Sequence, residues 1–484
     1  MVDQFKKGVL LFCWDQPSAT KDETRPEEHR TGMWIVSAVV VASLVASLDA
    51  FHITHRAKCT KKKVCNGNLM CALVCELGSV EVDSWAVNAL NYQRSLQRND
   101  QMVFFEMAST HNSAITEANN YGIEKYFIAA LGGGMDFDEG DDVGEGVCQY
   151  LTLTDQLRMG VRHLEIDIWW DRLVDDLVVC HSPVPLFPVG EVTRQAEAAS
   201  LDLQWDPKNM SCLGTKRMFP DVLTEVKDWM MLEENKDQVV GLFFDTKFFM
   251  SNMSVTKANN DIRKVFGNML WPVTEGTPLT HKVDELLSSN KRIFIEANRE
   301  EWLHPSRGDP IVFWPTLWNN HQFGPSDLVQ FPNCTISGDN SWYGKEWVRA
   351  LDGTFTEAAT RCAVPIVSGD YTNPDDMKFY VWTWDQQEPS DAQGCVALTP
   401  NGRWATLDCA TPLPYACLAS SAESAAGYGL DWKVDLTVVG DAASVKCAAG
   451  TEFAAPHNGF ANSVLVDKAY GQTIWLNAPN PLKK

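Results

Sequence analysis

Three short segments carry most of the chemistry open to this chain: Thr110-His111-Asn112-Ser113, Glu165-Ile166-Asp167 and His181-Ser182-Pro183. They supply two imidazoles, a carboxamide and two carboxylates. Imidazole titrates near neutral pH and can take or give a proton, so His111 and His181 form a candidate catalytic acid–base pair. Glu165 and Asp167 are two residues apart in an apolar run, and in a strand both leave the same face. Two carboxylates on one face are costly to bury unless a cation neutralises them. Oxygen ligands of this kind suit Ca²⁺ or, alternatively, Mg²⁺. Asn112 adds an uncharged carbonyl oxygen, and Asp245, ending the run Val239 to Phe244, adds a third carboxylate. The competing reading pairs Glu165 and Asp167 with Arg162 and Arg172, and a single histidine in a strand is usually just packed. Taken together, the set matches what phosphodiester hydrolysis beside a hard cation requires: proton transfer at two oxygens and neutralisation of phosphoryl charge.

Such residues need strands that bring them together. Apolar runs at Met102–Phe105, His163–Trp169, Leu177–Cys180, Val239–Phe244, Arg292–Glu296, Ile311–Trp314 and Phe379–Trp384 read as strands. Leu151–Met159, Phe219–Glu234 and Thr280–Leu287 carry helical spacing. Runs that are apolar on both faces suit a parallel sheet covered by helices. His111, Asp167, His181, Asp245 and Glu296 fall in or just past the ends of different strands, as at the catalytic face of a (β/α)8 barrel. The expected fold is therefore α/β, a TIM-type barrel, regular or distorted, with a disulfide-tied N-terminal lead-in and a C-terminal appendage. Gly132-Gly133-Gly134 precedes an acidic stretch that would repel a nucleotide phosphate, and it misses the calcium-loop register, so it reads as a surface loop.

The 484 residues suffice for one large domain with appendages. With 63 acidic against 41 basic residues the net charge is −22, which excludes a general nucleic-acid binder. The apolar run from Met33, uncharged as far as Leu48, fits a signal-peptide core within 33–50, with a signal anchor or a buried helix as alternatives. The residues before it read as an over-extended N-terminus. Fourteen cysteines, with Cys59, Cys65, Cys71 and Cys75 clustered behind that run, favour disulfides over zinc and an extracellular, secreted protein. Glycosylation sequons stand at Asn209, Asn252 and Asn333.

The THNS segment, the stretch Gln156 to Trp169 and Val179-Cys180-His181-Ser182 resemble, in order and spacing, the catalytic X region of phosphoinositide-specific phospholipase C. The resemblance is specific over about 101–185 and fades towards residue 300. It implies a TIM-type barrel with catalytic His111 and His181 and a calcium set of Asn112, Glu165, Asp167 and Asp245. The calcium-dependent branch has Glu where this chain has Asp245. It also implies attack by the inositol 2-hydroxyl on its own phosphate. Lys247 and Arg299 stand where substrate phosphate or headgroup contacts would be expected.

A second resemblance, to the closing half of a C-type lectin domain, runs from Phe379 to Cys417 through Glu388-Pro389. The alternative there is a final barrel strand followed by a disulfide-tied hairpin. The implied organisation is an over-extended N-terminus plus signal peptide over 1–50 (signal 33–50) and a cysteine-rich lead-in over 51–100. A phosphodiesterase barrel spans 101–419, with the cysteine-tied hairpin at 379–417, and an appendage covers 430–484. The leading functional expectation is a secreted, metal-dependent phosphodiesterase acting on an inositol phospholipid or glycolipid at a membrane surface. Alternatives are a secreted carbohydrate- or lipid-binding protein on a degraded barrel, or a Mg²⁺-dependent phosphodiesterase of another headgroup.

Overall fold

The protein was analysed as a computed structural model that describes residues 57–66, 70–121, 147–181, 184–185, 210–212, 215–246, 252–303, 310–320, 328–336, 346–350, 352–419, 431–437 and 439–483. Met33 to Ala50, the glycine-rich acidic loop and Lys247 lie outside those residues. An antiparallel hairpin, β1 (Lys61–Asn66) and β2 (Met70–Cys75), comes first, followed by α1 (Ser84–Leu96). The repeating part then runs β3 (Met107–Thr110), α2 (Leu153–Met159), β4 (His163–Asp171), β5 (Asp176–Val179), α3 (Phe219–Met230), β6 (Val240–Asp245), α4 (Asn252–Phe266), α5 (Val283–Ser288), β7 (Ile293–Ala297), β8 (Asn319–Asn320), β9 (Glu346–Ala350), α6 (Gly353–Arg361) and β10 (Ile366–Gly369).

Seven of these strands form a parallel sheet in the order β7-β6-β4-β3-β10-β9-β8. The first strand, β3, lies between the second and the last, so the chain winds out along one side of the sheet and returns along the other. The result is a curled half-barrel. A parallel bridge from Glu296 to Phe313 extends it at the β7 edge. Among the described residues no ladder joins β8 to that edge.

Side-chain alternation assigns the faces. Leu164, Ile166 and Ile168 of β4, Leu242 and Phe244 of β6, Ile293 and Ile295 of β7 and Val367 of β10 belong to the core beneath the helices. Their neighbours Phe243, Phe294 and Ile366 belong to a second apolar cluster, on the concave side. Both faces are therefore dry, which is why these strands read as continuous apolar runs. By the same alternation Glu165 and Asp167 lie on the concave face with Asp245.

Several expected strands are placed differently. Met102–Phe104 is a 3-10 turn, and the strand begins at Met107. Ile311–Trp314 contributes only the bridge at Phe313. Phe379 and Tyr380 end a 3-10 helix, Pro374–Tyr380, capped by Asn373 and Asp376, so Phe379–Trp384 is not a strand. Its aromatic residues instead build the contact with a β-rich C-terminal part. There β11 (Cys395–Leu398) and β12 (Trp404–Leu407) form a hairpin tied by Cys395–Cys409. Trp382 and Trp384 pack against Trp404, and Tyr92 of α1 lies 5.0 Å from Trp384. The Glu388 carboxylate is fully occupied within this unit, accepting from the Ser390 and Thr406 amides and from both hydroxyls. A final helix, α7 (Gly459–Lys468), supplies Asn462, whose Oδ1 accepts from Trp404 Nε1 at 2.8 Å.

Four further disulfides are Cys59–Cys75, Cys180–Cys212, Cys334–Cys362 and Cys417–Cys447. No described helix is long and apolar enough to cross a membrane.

Candidate active site

The THNS loop leaves β3 and is clamped to β4 from both directions. The Ser113 amide donates to the Glu165 carbonyl at 2.8 Å, and the Glu165 amide donates to Ser113 Oγ at 2.9 Å. Gln156 of α2 completes the clamp, donating to the carbonyls of Ser113 and Leu151 while its Oε1 accepts from Thr110 Oγ1. These groups are buried, and satisfying each of them fixes the loop in one conformation. Asn112 sits in the left-handed region at φ 46, which asparagine tolerates better than most residues.

His111 lies between two carboxylates. Its Nδ1 is 2.8 Å from Asp370 Oδ1, and its Nε2 is 4.0 Å from Glu165 Oε2. An ionised carboxylate only accepts, so Nδ1 carries the proton towards Asp370, and Nε2 is the nitrogen on the Glu165 side. Asp370 directly follows β10, whose Gly369 pairs with Thr110 of β3, and parallel pairing makes this contact possible. Gln149 holds the two strand ends together, donating through Nε2 to the carbonyls of His111 and Gly369 at 2.8 and 2.9 Å.

The other expected residues come to the same end of the sheet. Asp167 and Asp245 are register partners in the β4–β6 ladder. Glu165, Asp167 and Asp245 are all buried. Asp245 Oδ1 accepts from Asn298 Nδ2 at 2.6 Å, and Asn298 also ties Thr246. The antiparallel return of β5 pairs Val179 with Ile168 and leads back, through disulfide-bonded Cys180, to half-buried His181 beside this end of β4. Arg299 Nε donates to the Thr246 carbonyl at 2.8 Å, which places its backbone among the loops after β6 and β7.

Arg162 does not neutralise the acidic pair. Its guanidinium bonds Gln238 and the carbonyls of Leu157 and Val161, and stacks 4.6 Å over Trp229. Glu296 is likewise committed elsewhere. It lies 3.2 Å from Nε2 of fully buried His163, whose Nδ1 meets Ser109 Oγ at 3.0 Å.

The residues present fit a hard cation. Asn112 Oδ1 is buried and receives no hydrogen bond among the described residues, while its Nδ2 donates to Cys148 Sγ at 3.3 Å. With the buried Glu165, Asp167 and Asp245 this carbonyl oxygen would make up an all-oxygen donor set, although the oxygens of those three carboxylates do not gather within 4.8 Å of one another. A tighter group, His111, Cys148 and Asp370, has ligand atoms within 4.8 Å of one another, but the Cys148 sulfur is in a disulfide and cannot act as a thiolate.

Sequence reasoning missed Asp370 and Gln149. Asp370 ends Ile366-Val367-Ser368-Gly369, a short apolar run closed by a carboxylate, the same pattern that singles out Asp245. Gln149 carries no such signal, because its role depends on two main-chain carbonyls that only the fold brings together.

No family model matches the chain. Solved structures similar to it include the phosphatidylinositol-specific phospholipase C from Listeria monocytogenes. That likeness has a TM-score of 0.38 at 9% identity, over 60% of this chain and 97% of that one. Another is the calcium-dependent phosphoinositol-specific phospholipase C from a Pseudomonas species, with a TM-score of 0.30 at 13% identity, over 62% and 96%. In sequence, the chain is 33% identical over 364 aligned positions to the uncharacterized protein Rv2075c of Mycobacterium tuberculosis strain H37Rv, covering 66% of this chain and 67% of that protein. The uncharacterized protein MT2135 of strain CDC 1551 matches to the same extent. The chain belongs to the family of these mycobacterial proteins.

Proposed function

We propose that this protein is a secreted phosphodiesterase of the phospholipase C type, acting on an inositol phospholipid or glycolipid. The observation that carries the reading is His111. Its Nδ1 is held 2.8 Å from Asp370, its Nε2 looks towards Glu165, and the neighbouring Asn112 carbonyl is buried without a donor. The motif order from Thr110 to His181 supports it, and so does the common concave face of the carboxylates. The five described disulfides suit an oxidising compartment. In this reading the half-barrel is part of a TIM-type barrel closed through Phe313 and β8.

The chemistry follows from the residues. Asp370 holds the His111 tautomer whose Nε2 accepts a proton and stabilises the imidazolium that forms, so His111 is the general base towards the attacking hydroxyl. His181 returns a proton to the departing glycerol oxygen. Asn112, Glu165, Asp167 and Asp245 would hold the cation, Ca²⁺ before Mg²⁺, which when bound neutralises phosphoryl charge. Arg299, and Lys247 beyond the described residues, are assigned to the headgroup phosphates.

The test is turnover of a soluble phosphodiester and of phosphatidylinositol vesicles by wild type, His111→Ala and His181→Ala. Loss of turnover in both variants with unchanged circular dichroism supports the reading. Unchanged turnover in either one overturns the acid–base pair.

A further inference from the structure

In the β1–β2 hairpin the charge of this acidic chain runs the other way. Residues 57–75 contain Lys58, Lys61, Lys62 and Lys63 and no aspartate or glutamate, in a protein of net charge −22. The register puts Lys63 opposite Leu73 and Lys61 opposite Cys75, so Lys61, Lys63 and Leu73 share one face. That face is open: Lys58, Lys61 and Lys63 are exposed, Leu73 is 48% exposed, and Leu77 just past the hairpin is 51% exposed. The opposite face holds Val74, which is buried against the rest of the molecule. The outward face is therefore a mixture of lysines and leucines, with exposed Glu76 before Leu77 as its one acidic neighbour on that stretch.

The hairpin is fixed, and it sits on the catalytic side. Cys59–Cys75 ties its base. The amides of Gly78 and Val80 donate to the carboxylate of Asp155, in the first turn of α2, at 2.9 and 3.3 Å. That turn follows the loops after β3 and so lies at the end of the sheet where His111 emerges. β2 packs against the 3-10 turn Glu117–Asn119, which follows the THNS loop. The Glu117 carboxylate acts on the Lys61 ammonium across that contact.

Resting on the phosphodiesterase reading above, we infer that the Lys58/Lys61/Lys63–Leu73/Leu77 face docks the enzyme onto an anionic lipid surface. The chain's overall charge would otherwise repel it from such a surface. Lysines near an anionic leaflet attract it through the surface potential, and exposed leucines add burial into the headgroup boundary. A zwitterionic surface offers only the second contribution. The proposal concerns docking alone, so catalysis of a soluble substrate does not need the face.

The experiment is co-sedimentation of the full chain with phosphatidylcholine vesicles, with and without phosphatidylserine, at low and high salt. Expected is binding to the anionic vesicles that salt weakens. The Lys58→Gln/Lys61→Gln/Lys63→Gln variant should bind them on the order of 100-fold more weakly, from about fivefold per lysine. Leu73→Ser should weaken binding on both vesicle types, and the Lys→Arg triple should retain it. All three variants should turn over a soluble phosphodiester like wild type, so a failed docking test and a failed phosphodiesterase test are separable. Equal binding by wild type and the Gln triple overturns the proposal, as does no preference for the anionic vesicles. Hairpin-dependent binding to heparin without vesicle binding also overturns it, in favour of a soluble polyanion.

Discussion

Asp370→Asn tests the geometry of the site with little change of shape. Asn Oδ1 can still accept from His111 Nδ1, so the tautomer is kept and only the negative charge is lost. The bond is 2.8 Å long between groups that are mostly shielded from solvent, with side-chain exposures of 12% and 18%. Hydrogen bonds to charged groups of this kind contribute about 1.5–3 kcal/mol. If that contribution is largest when His111 becomes an imidazolium, kcat should fall about 10- to 150-fold with KM nearly unchanged. Glu165, 4.0 Å from Nε2, is too distant to replace it. Asp370→Ala also removes the acceptor that selects the tautomer, and should cost more than the Asn variant. The assay is initial-rate turnover of a soluble phosphodiester, with circular dichroism to verify folding. A kcat for Asp370→Asn equal to wild type would refute the assignment of Asp370 as the partner of the base.

Other predictions follow from the same contacts. Asn112→Ala removes the orphaned carbonyl and should raise the cation concentration needed for half-maximal activity by on the order of 10-fold or more, measured by metal titration after chelation. Cys180 and Cys212 close a loop with a sequence separation of 32 and anchor the residue before His181. Replacing both with Ser should cost about 3–4 kcal/mol of stability and lower turnover, read by urea unfolding and by rate. Burial pushes the Glu106 carboxyl up to about 8, against hydrogen bonds from Gly459, Trp382 and Gln97 that favour the ionised form. A folded-state value raised above the unfolded one means that stability falls as pH rises between the two. Glu106→Gln should therefore be nearly neutral at about pH 5 and increasingly stabilising towards pH 8, by roughly 1.4 kcal/mol per pH unit at most. Unfolding midpoints at the two pH values check it.

How much of this was legible in the sequence depended on what each strand buries. β4, β6 and β7 are dry on both faces and announce themselves as apolar runs, and Asp245 is visible because it ends one of them. β3 is hidden. Its Met107-Ala108-Ser109-Thr110 includes two hydroxyl residues that are fully buried because His163 and Gln156 bond them, partners that lie far along the chain. The strand reading accordingly slid upstream to the more apolar Met102–Phe105. The run Phe379–Trp384 misled in the opposite direction, since its apolarity serves packing against Trp404 and Tyr92 rather than a ladder. Glu165 and Asp167 were legible because their spacing within one strand sets their common face, and His111 and Asn112 because they directly follow the strand end at Thr110. Asp370 and Gln149 act through the β3–β10 pairing, a contact across 259 residues that no local pattern encodes.

The central claim is a cation-dependent phosphodiesterase centred on His111, and analysis of products from mixed phospholipids tests it most directly. Purified protein would be incubated with vesicles containing phosphatidylinositol, phosphatidylcholine and phosphatidylethanolamine, in Ca²⁺, Mg²⁺ or chelator. Diacylglycerol and water-soluble headgroup phosphates would then be measured. Expected are diacylglycerol and phosphorylated inositol from the inositol lipid in Ca²⁺, and neither in chelator or with His111→Ala. No headgroup release from any lipid in either cation, by protein whose fold is intact, would contradict that claim.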